Sequence, residues 1–350
     1  MNRRSFFVIP LILLSLIAGA YNGLIRIGWD FPLNKAVAQH GALMVGSFLC
    51  TYLLLERTVI LKNKWLYIFP VLNGLSLVFF LTGHFLTGME LLFIGSVALA
   101  GIFIYLYSMY RKFYMIIMFI GAISLIGGNL MLINSRFYPA SVSFWFAFIL
   151  LVVTGERLEL TKFLPAGKNR ASILIFSIVL YFTGLFFNYH GSGHILTGLS
   201  MIIFSAWLFT YDIAFKSLRQ PGLHRYIAVN LVAAYGWLMV SGFLLLFTPG
   251  FKFLYDATIH VFFLGFTFSM IFAHGPIILP GITGIRKKPF HPAIYTWTLL
   301  LHLSVIFRLA GDFSTNVEIR AVAGLLNMIA ITGFFIHLLI LMRPYHLKTS

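Results

Sequence analysis

Twelve long apolar runs, separated by short breaks that hold most of the charge, dictate what this chain can become. They lie near 5–28, 35–56, 65–84, 88–110, 112–134, 138–158, 171–189, 194–214, 225–248, 256–280, 292–311 and 319–342. An α-helix rises about 1.5 Å per residue, so about 20 apolar residues cross the hydrocarbon core of a bilayer. Of the 350 residues, 60% are hydrophobic and 10% charged, against the ~25% charged residues usual in soluble domains. No water-soluble fold of this size has an interior able to hide so much apolar surface. The expectation is an all-α polytopic membrane protein of about twelve transmembrane helices, one transmembrane domain over 1–350, with the lipid bilayer as its solvent. The first run follows Arg3 and Arg4, as a signal peptide would. Its length, and the lack of a small-residue cleavage site, make it the first span instead.

The breaks test that count. Alternating sides along the twelve runs puts 19 of the 25 basic residues on the N-terminal side. The other side receives only Arg26, Lys35, Arg136, Lys252, Arg308 and Arg320. A missed or invented span would scramble this bias. Basic residues mark the cytoplasmic side, so both termini are expected there, in a bacterial inner membrane. The formal charge of +16 is therefore a matter of orientation, and nucleic acid is not expected as a partner. The single cysteine, Cys50, excludes a disulfide framework and any multi-cysteine metal site. There is no Walker loop, dinucleotide fingerprint or HExxH motif. Glu56-Arg57 and Glu156-Arg157 recur about 100 residues apart, each after a long apolar run. Three sets of four helices is one reading of that echo, and interfacial ion pairs are the expected role of these residues.

Eleven histidines in so apolar a chain need a reason, because ionisable groups inside a bilayer are costly and face a partner, a cavity or a metal. His40 comes five residues after Lys35 and His260 four after Asp256. Both runs point the same way, so the two imidazoles fall at nearly one depth, roughly 6–8 Å below their helix starts. Two imidazoles from facing helices can hold a haem iron axially. Gly41 would let a flat macrocycle approach the backbone. An interfacial, hydrogen-bonded histidine is the plainer alternative. His274 lies 14 residues beyond His260, about 21 Å along the axis, so the two cannot share a metal. With His302 and His337 it forms an inner group suited to a metal, a proton relay or helix–helix hydrogen bonds. His190 and His194, beside His84, are candidate copper ligands at the outer rim. Arg26 and Arg308 sit at outer helix ends, where they can snorkel or pair with haem propionates. Asp312 is an equally good partner for Arg308.

Twelve helices with both ends inside, the stretch His40-Gly41-Ala42-Leu43-Met44, and a histidine early in the tenth run resemble the large subunit of the haem-copper oxidase superfamily. The segments HGALMVGSFLCTYLLLERTVIL and DATIHVFFLGFTFSMIFAHGPIILP look still more like its NnrS-type branch, haem- and copper-containing proteins linked to the nitric-oxide response. That resemblance implies a haem, b-type, on His40 and His260, with its propionates directed to Arg26 and Arg308, and copper nearby. It implies a small gaseous ligand such as nitric oxide, and a redox partner. The sixth run has no histidine, the tenth lacks a second one at i+2, and the seventh offers only His190 at its rim. A binuclear reductase centre is therefore not expected, and catalysis as a haem-dependent oxidoreductase stays open. The rivals are a transporter or channel without redox chemistry, and an accessory subunit of a respiratory complex.

Overall fold

A computed structural model describes residues 5–161, 169–187, 192–247, 250–285 and 288–343. The described residues form helices without strands. We number the membrane-length helices α1 Ser5–Arg26, α2 Ala42–Leu61, α3 Lys64–Thr82, α4 Phe85–Tyr110, α5 Phe113–Ser135, α6 Tyr138–Leu160, α7 Arg170–Phe186, α8 Gly193–Tyr211, α9 Leu223–Phe247, α10 Leu254–Thr283, α11 Pro292–Phe313 and α12 Val317–Met342. Eleven of them are long and apolar enough to cross a membrane. The exception is α7, expected over 171–189, whose helix stops at Phe186 after 17 residues. The protein is an all-α, multi-pass membrane bundle.

Several turns are very short, and their chemistry is visible. α2, α4 and α5 each end on a basic residue in the left-handed region: Lys62 (φ 54°), Arg111 (φ 48°) and Arg136 (φ 53°). Each folds its N–H back onto the last turn, and a cation there meets the negative end of the helix dipole. The break at 84–88 closes through Gly83 at φ 90°, where a side chain would be strained.

Lipid offers no hydrophobic drive between helices, so close packing and polar contacts must hold the bundle. Sequential neighbours pack in pairs along most of the chain, and α12 returns against α1. Gly198 of α8 and Gly242 of α9 let two backbones touch. A Cβ on Gly242 would lie 2.6 Å from the Gly198 carbonyl oxygen. Buried amides add hydrogen bonds. Asn73 Nδ2 donates to Gly46 O and Thr51 Oγ1, and Trp145 donates to Asn129.

α2, α6 and α10 are the enclosed helices. Between 72 and 78% of their most apolar stretch is buried, against 33–50% for the other long spans. They stand four helices apart, the interval the Glu-Arg echo marks. Rings and charges join them to one another. Phe48 stacks on Phe268, Phe146 lies on Phe262 with centroids 4.2 Å apart, Arg57 pairs with Glu156, and Arg157 donates to His274. The two Glu-Arg pairs are thus not separate interfacial pairs. One crosses over to the other.

Candidate functional site

His40 and His260 open onto one cavity of about 350 Å3, walled by α1, α2, α6, α10, α11 and α12. Three observations place them in register. Each immediately precedes a wide, π-helical stretch, Ala42–Cys50 after His40-Gly41 and Val261–Thr267 after His260. Such stretches are rare and concentrate at functional sites. The eighth residue after each histidine is a phenylalanine, and Phe48 and Phe268 stack with centroids 6.0 Å apart and planes within 9°. Those rings line the cavity together with the two histidines.

The imidazoles are also prepared in the same way. His40 Nδ1 lies 2.7 Å from the Gly19 carbonyl, and His260 Nδ1 lies 2.8 Å from that of Asp256. A carbonyl only accepts, so both Nδ1 atoms carry the proton and both Nε2 atoms carry the lone pair. Neither Nε2 has a protein partner among the described residues. This is the tautomer a metal-binding imidazole needs, with a backbone group fixing ring and proton. Gly23 makes room for His40, since a Cβ there would stand 2.8 Å from the ring's Cε1. Gly41 has a different use from the one expected. The space left by its missing side chain is filled by Tyr138 at 3.1 Å, so it admits an aromatic of α6 rather than a macrocycle.

The mouth is cationic. Arg26, Arg308 and Arg320 line it together with Asp256. Arg26 is the least committed, with one long contact to Ala38 O at 3.5 Å. Arg308 does not pair with Asp312. Asp256 takes it at 2.9 Å, and Asp312 pairs with Arg320 at 2.6 Å. Asp256 thus joins α10 to α11, and Asp312 joins α11 to α12. Asp256, Arg320, Tyr138 and Asn327 are site residues not found by reading the sequence. Asp256 had a signal, one helical turn ahead of His260. Asn327 had none; its amide is nearly buried, with Oδ1 bonded by Ser304 and Nδ2 unpartnered.

The inner histidines are not brought together as a ligand group. His274 Nε2 accepts from Arg157 at 2.7 Å, and its Nδ1 donates to Met270 O. His302 and His337 each accept from a tryptophan at 3.0 Å, Trp237 and Trp297 respectively. All three work as helix–helix hydrogen bonds. At the rim, His84 bonds Thr82 and His194 opens α8, whereas His190 lies outside the described residues. Among the described residues, no three His, Cys, Asp or Glu side chains converge as a metal site.

A second cavity of about 60 Å3 lies deeper, between Glu56, Glu156, Tyr52 and His274. It shares Leu49, Thr267 and Ile271 with the first.

Fold and site together define a polytopic α-helical membrane protein with a cavity lined by two histidines prepared alike. The chain belongs to the family described as "Domain of unknown function (DUF8744)", which matches residues 4–343. No curated protein and no solved structure matches it.

Proposed function

We propose that this protein is a membrane haem protein of NnrS-like type, holding a b-type haem between His40 and His260. The observation that carries this reading is the pair of imidazoles on one cavity, both with Nδ1 bound to a carbonyl and Nε2 left for a ligand. The walls are largely apolar and aromatic, as a macrocycle requires, and Arg26 offers a cation to a carboxylate, whereas Arg308, expected in the same role, is held by Asp256. When bound, such a group would supply one-electron chemistry, and a small gaseous ligand such as nitric oxide would reach it only by displacing one of the two imidazoles. The chain's own part is to orient. Gly19 and Asp256 fix the two rings, Gly23 leaves room for that of His40, and Arg26 offers the uncommitted cation at the mouth. Copper has no comparable seat among the described residues. The bias of basic residues supports a bacterial inner membrane with both termini in the cytoplasm, which puts the haem near the outer face. The resemblance to the NnrS-type branch adds a role in nitric-oxide response or respiratory redox chemistry, with a redox partner.

The test is the absorption spectrum of the purified protein. A Soret band is expected in the wild type and is expected to be lost in His40→Ala and His260→Ala. Wild-type protein without one, even when haem is supplied during expression, would overturn the proposal. A second reading, a carrier without redox chemistry, draws on the two cavities with shared walls running along the enclosed helices. Flux in proteoliposomes that survives both histidine substitutions would favour it.

A further inference from the structure

The two candidate ligands are not equally supported. His40 Nδ1 meets one group, the Gly19 carbonyl at 2.7 Å. His260 Nδ1 meets two, the Asp256 carbonyl at 2.8 Å and the Asp256 carboxylate, whose Oδ1 is 3.3 Å away. That carboxylate is itself anchored by Arg308 at 2.9 Å and Arg320 at 3.1 Å, so it is held in place rather than free to turn away. Among the described residues no carboxylate forms an ion pair with His40. A carboxylate facing the N–H of a ligating imidazole raises the basicity of the far nitrogen, and hydrogen bonding around axial ligands is one of the levers by which a protein tunes haem iron.

Resting on the haem reading above, we propose that Asp256 is a positioning residue that sets the redox poise of that haem, favouring ferric over ferrous iron through His260. Arg308 and Arg320 temper the effect by sharing the carboxylate's charge, and they keep it at the imidazole. Asp312 supplies the built-in comparison. It is an acid at the same end of the bundle, paired with Arg320, and among the described residues it forms no hydrogen bond or ion pair with His260.

The experiment is a mediator-buffered redox titration of purified haem-loaded protein, read in the visible bands. One electron enters the iron per haem, and no bond forms or breaks. Asp256→Asn keeps the backbone carbonyl and the side chain's shape but removes the charge. It is expected to weaken the ferric preference at least tenfold, a rise of about 59 mV for a one-electron couple. Asp312→Asn is expected to stay within threefold of wild type. Equal shifts in the two variants would reduce the effect to general charge and overturn the assignment, as would an unshifted Asp256→Asn. If Asp256→Asn does not accumulate, Asp256→Glu displaces the carboxylate by one methylene and is expected to move the poise the same way by a smaller factor. A wild-type value there would also overturn it. Colourless wild-type protein overturns the haem reading itself, whereas coloured protein with an indifferent Asp256 overturns only this inference.

Discussion

Replacing Gly23 by alanine tests whether the His40 ring is held as tightly as its surroundings suggest. The new Cβ would stand 2.8 Å from Cε1 and 2.9 Å from Nδ1. Carbon atoms in contact prefer about 3.5 Å or more, so the ring must retreat by about 0.7 Å. Moving back stretches the 2.7 Å bond to Gly19 O to about 3.4 Å, past the range of a good N–H···O bond. Losing that bond costs about 1 kcal/mol. Overpacking a filled position adds about 1–3 kcal/mol. Part of this is absorbed as stability, and disturbing a ligand's outer partner typically lowers metal affinity by about 10–100-fold. Haem titrated into the apoprotein in detergent should therefore bind roughly 10–100-fold more weakly. Gly101→Ala is the matched control, because a Cβ there meets nothing within 4 Å. It should leave affinity unchanged and gain up to about 1 kcal/mol of helix stability. Affinity within threefold of wild type in Gly23→Ala would mean the ring is not constrained, and its prepared tautomer would lose its significance.

Glu156→Gln strips the main partner from the buried Arg57. Orphaning one half of a buried pair costs about 3–5 kcal/mol, and Glu56, 4.0 Å away, should bring this to the lower end, seen as a lower melting temperature in detergent. Removing both members, as Arg57→Met with Glu156→Met, should recover most of that loss. Gly242→Ala pushes a Cβ against a backbone oxygen that cannot swing aside, so α8 and α9 must part; a destabilisation of about 1–3 kcal/mol is expected from the same melting assay. Orientation is checked with Cys50→Ser protein carrying a new cysteine. Lys62→Cys should react with an impermeant thiol reagent only in inside-out vesicles, and Arg136→Cys only in right-side-out ones.

Much of the bundle was legible because hydrophobic length is a property of each segment alone. Ten of the eleven spans appear within a few residues of where their apolar runs lie, whereas α2, expected over 35–56, is Ala42–Leu61. The π-helical stretches were not legible, since by length and hydropathy Ala42–Cys50 and Val261–Thr267 look no different from the apolar runs that contain them. Depth counting found His40 and His260 because both begin runs of the same direction. It misled for His302, which looked free to join His274, because nothing local announces that Trp237, 65 residues away, takes its Nδ1. Arg320 was invisible for the same reason. Its role comes from α12 closing back beside α10, a matter of tertiary arrangement.

α10 is fastened at both extremities. Near its start Asp256 is tied to α11 and α12 through Arg308 and Arg320, and near its far end His274 is tied to α6 through Arg157. A rod pinned at two points cannot slide like a piston. Any adjustment that accompanies a change at His260 must be taken up in the span between the pins, where the seven-residue stretch Val261–Thr267 is already underwound. Slack is therefore stored directly behind the histidine, and a small rewinding there would turn its ring while leaving both anchorages in place.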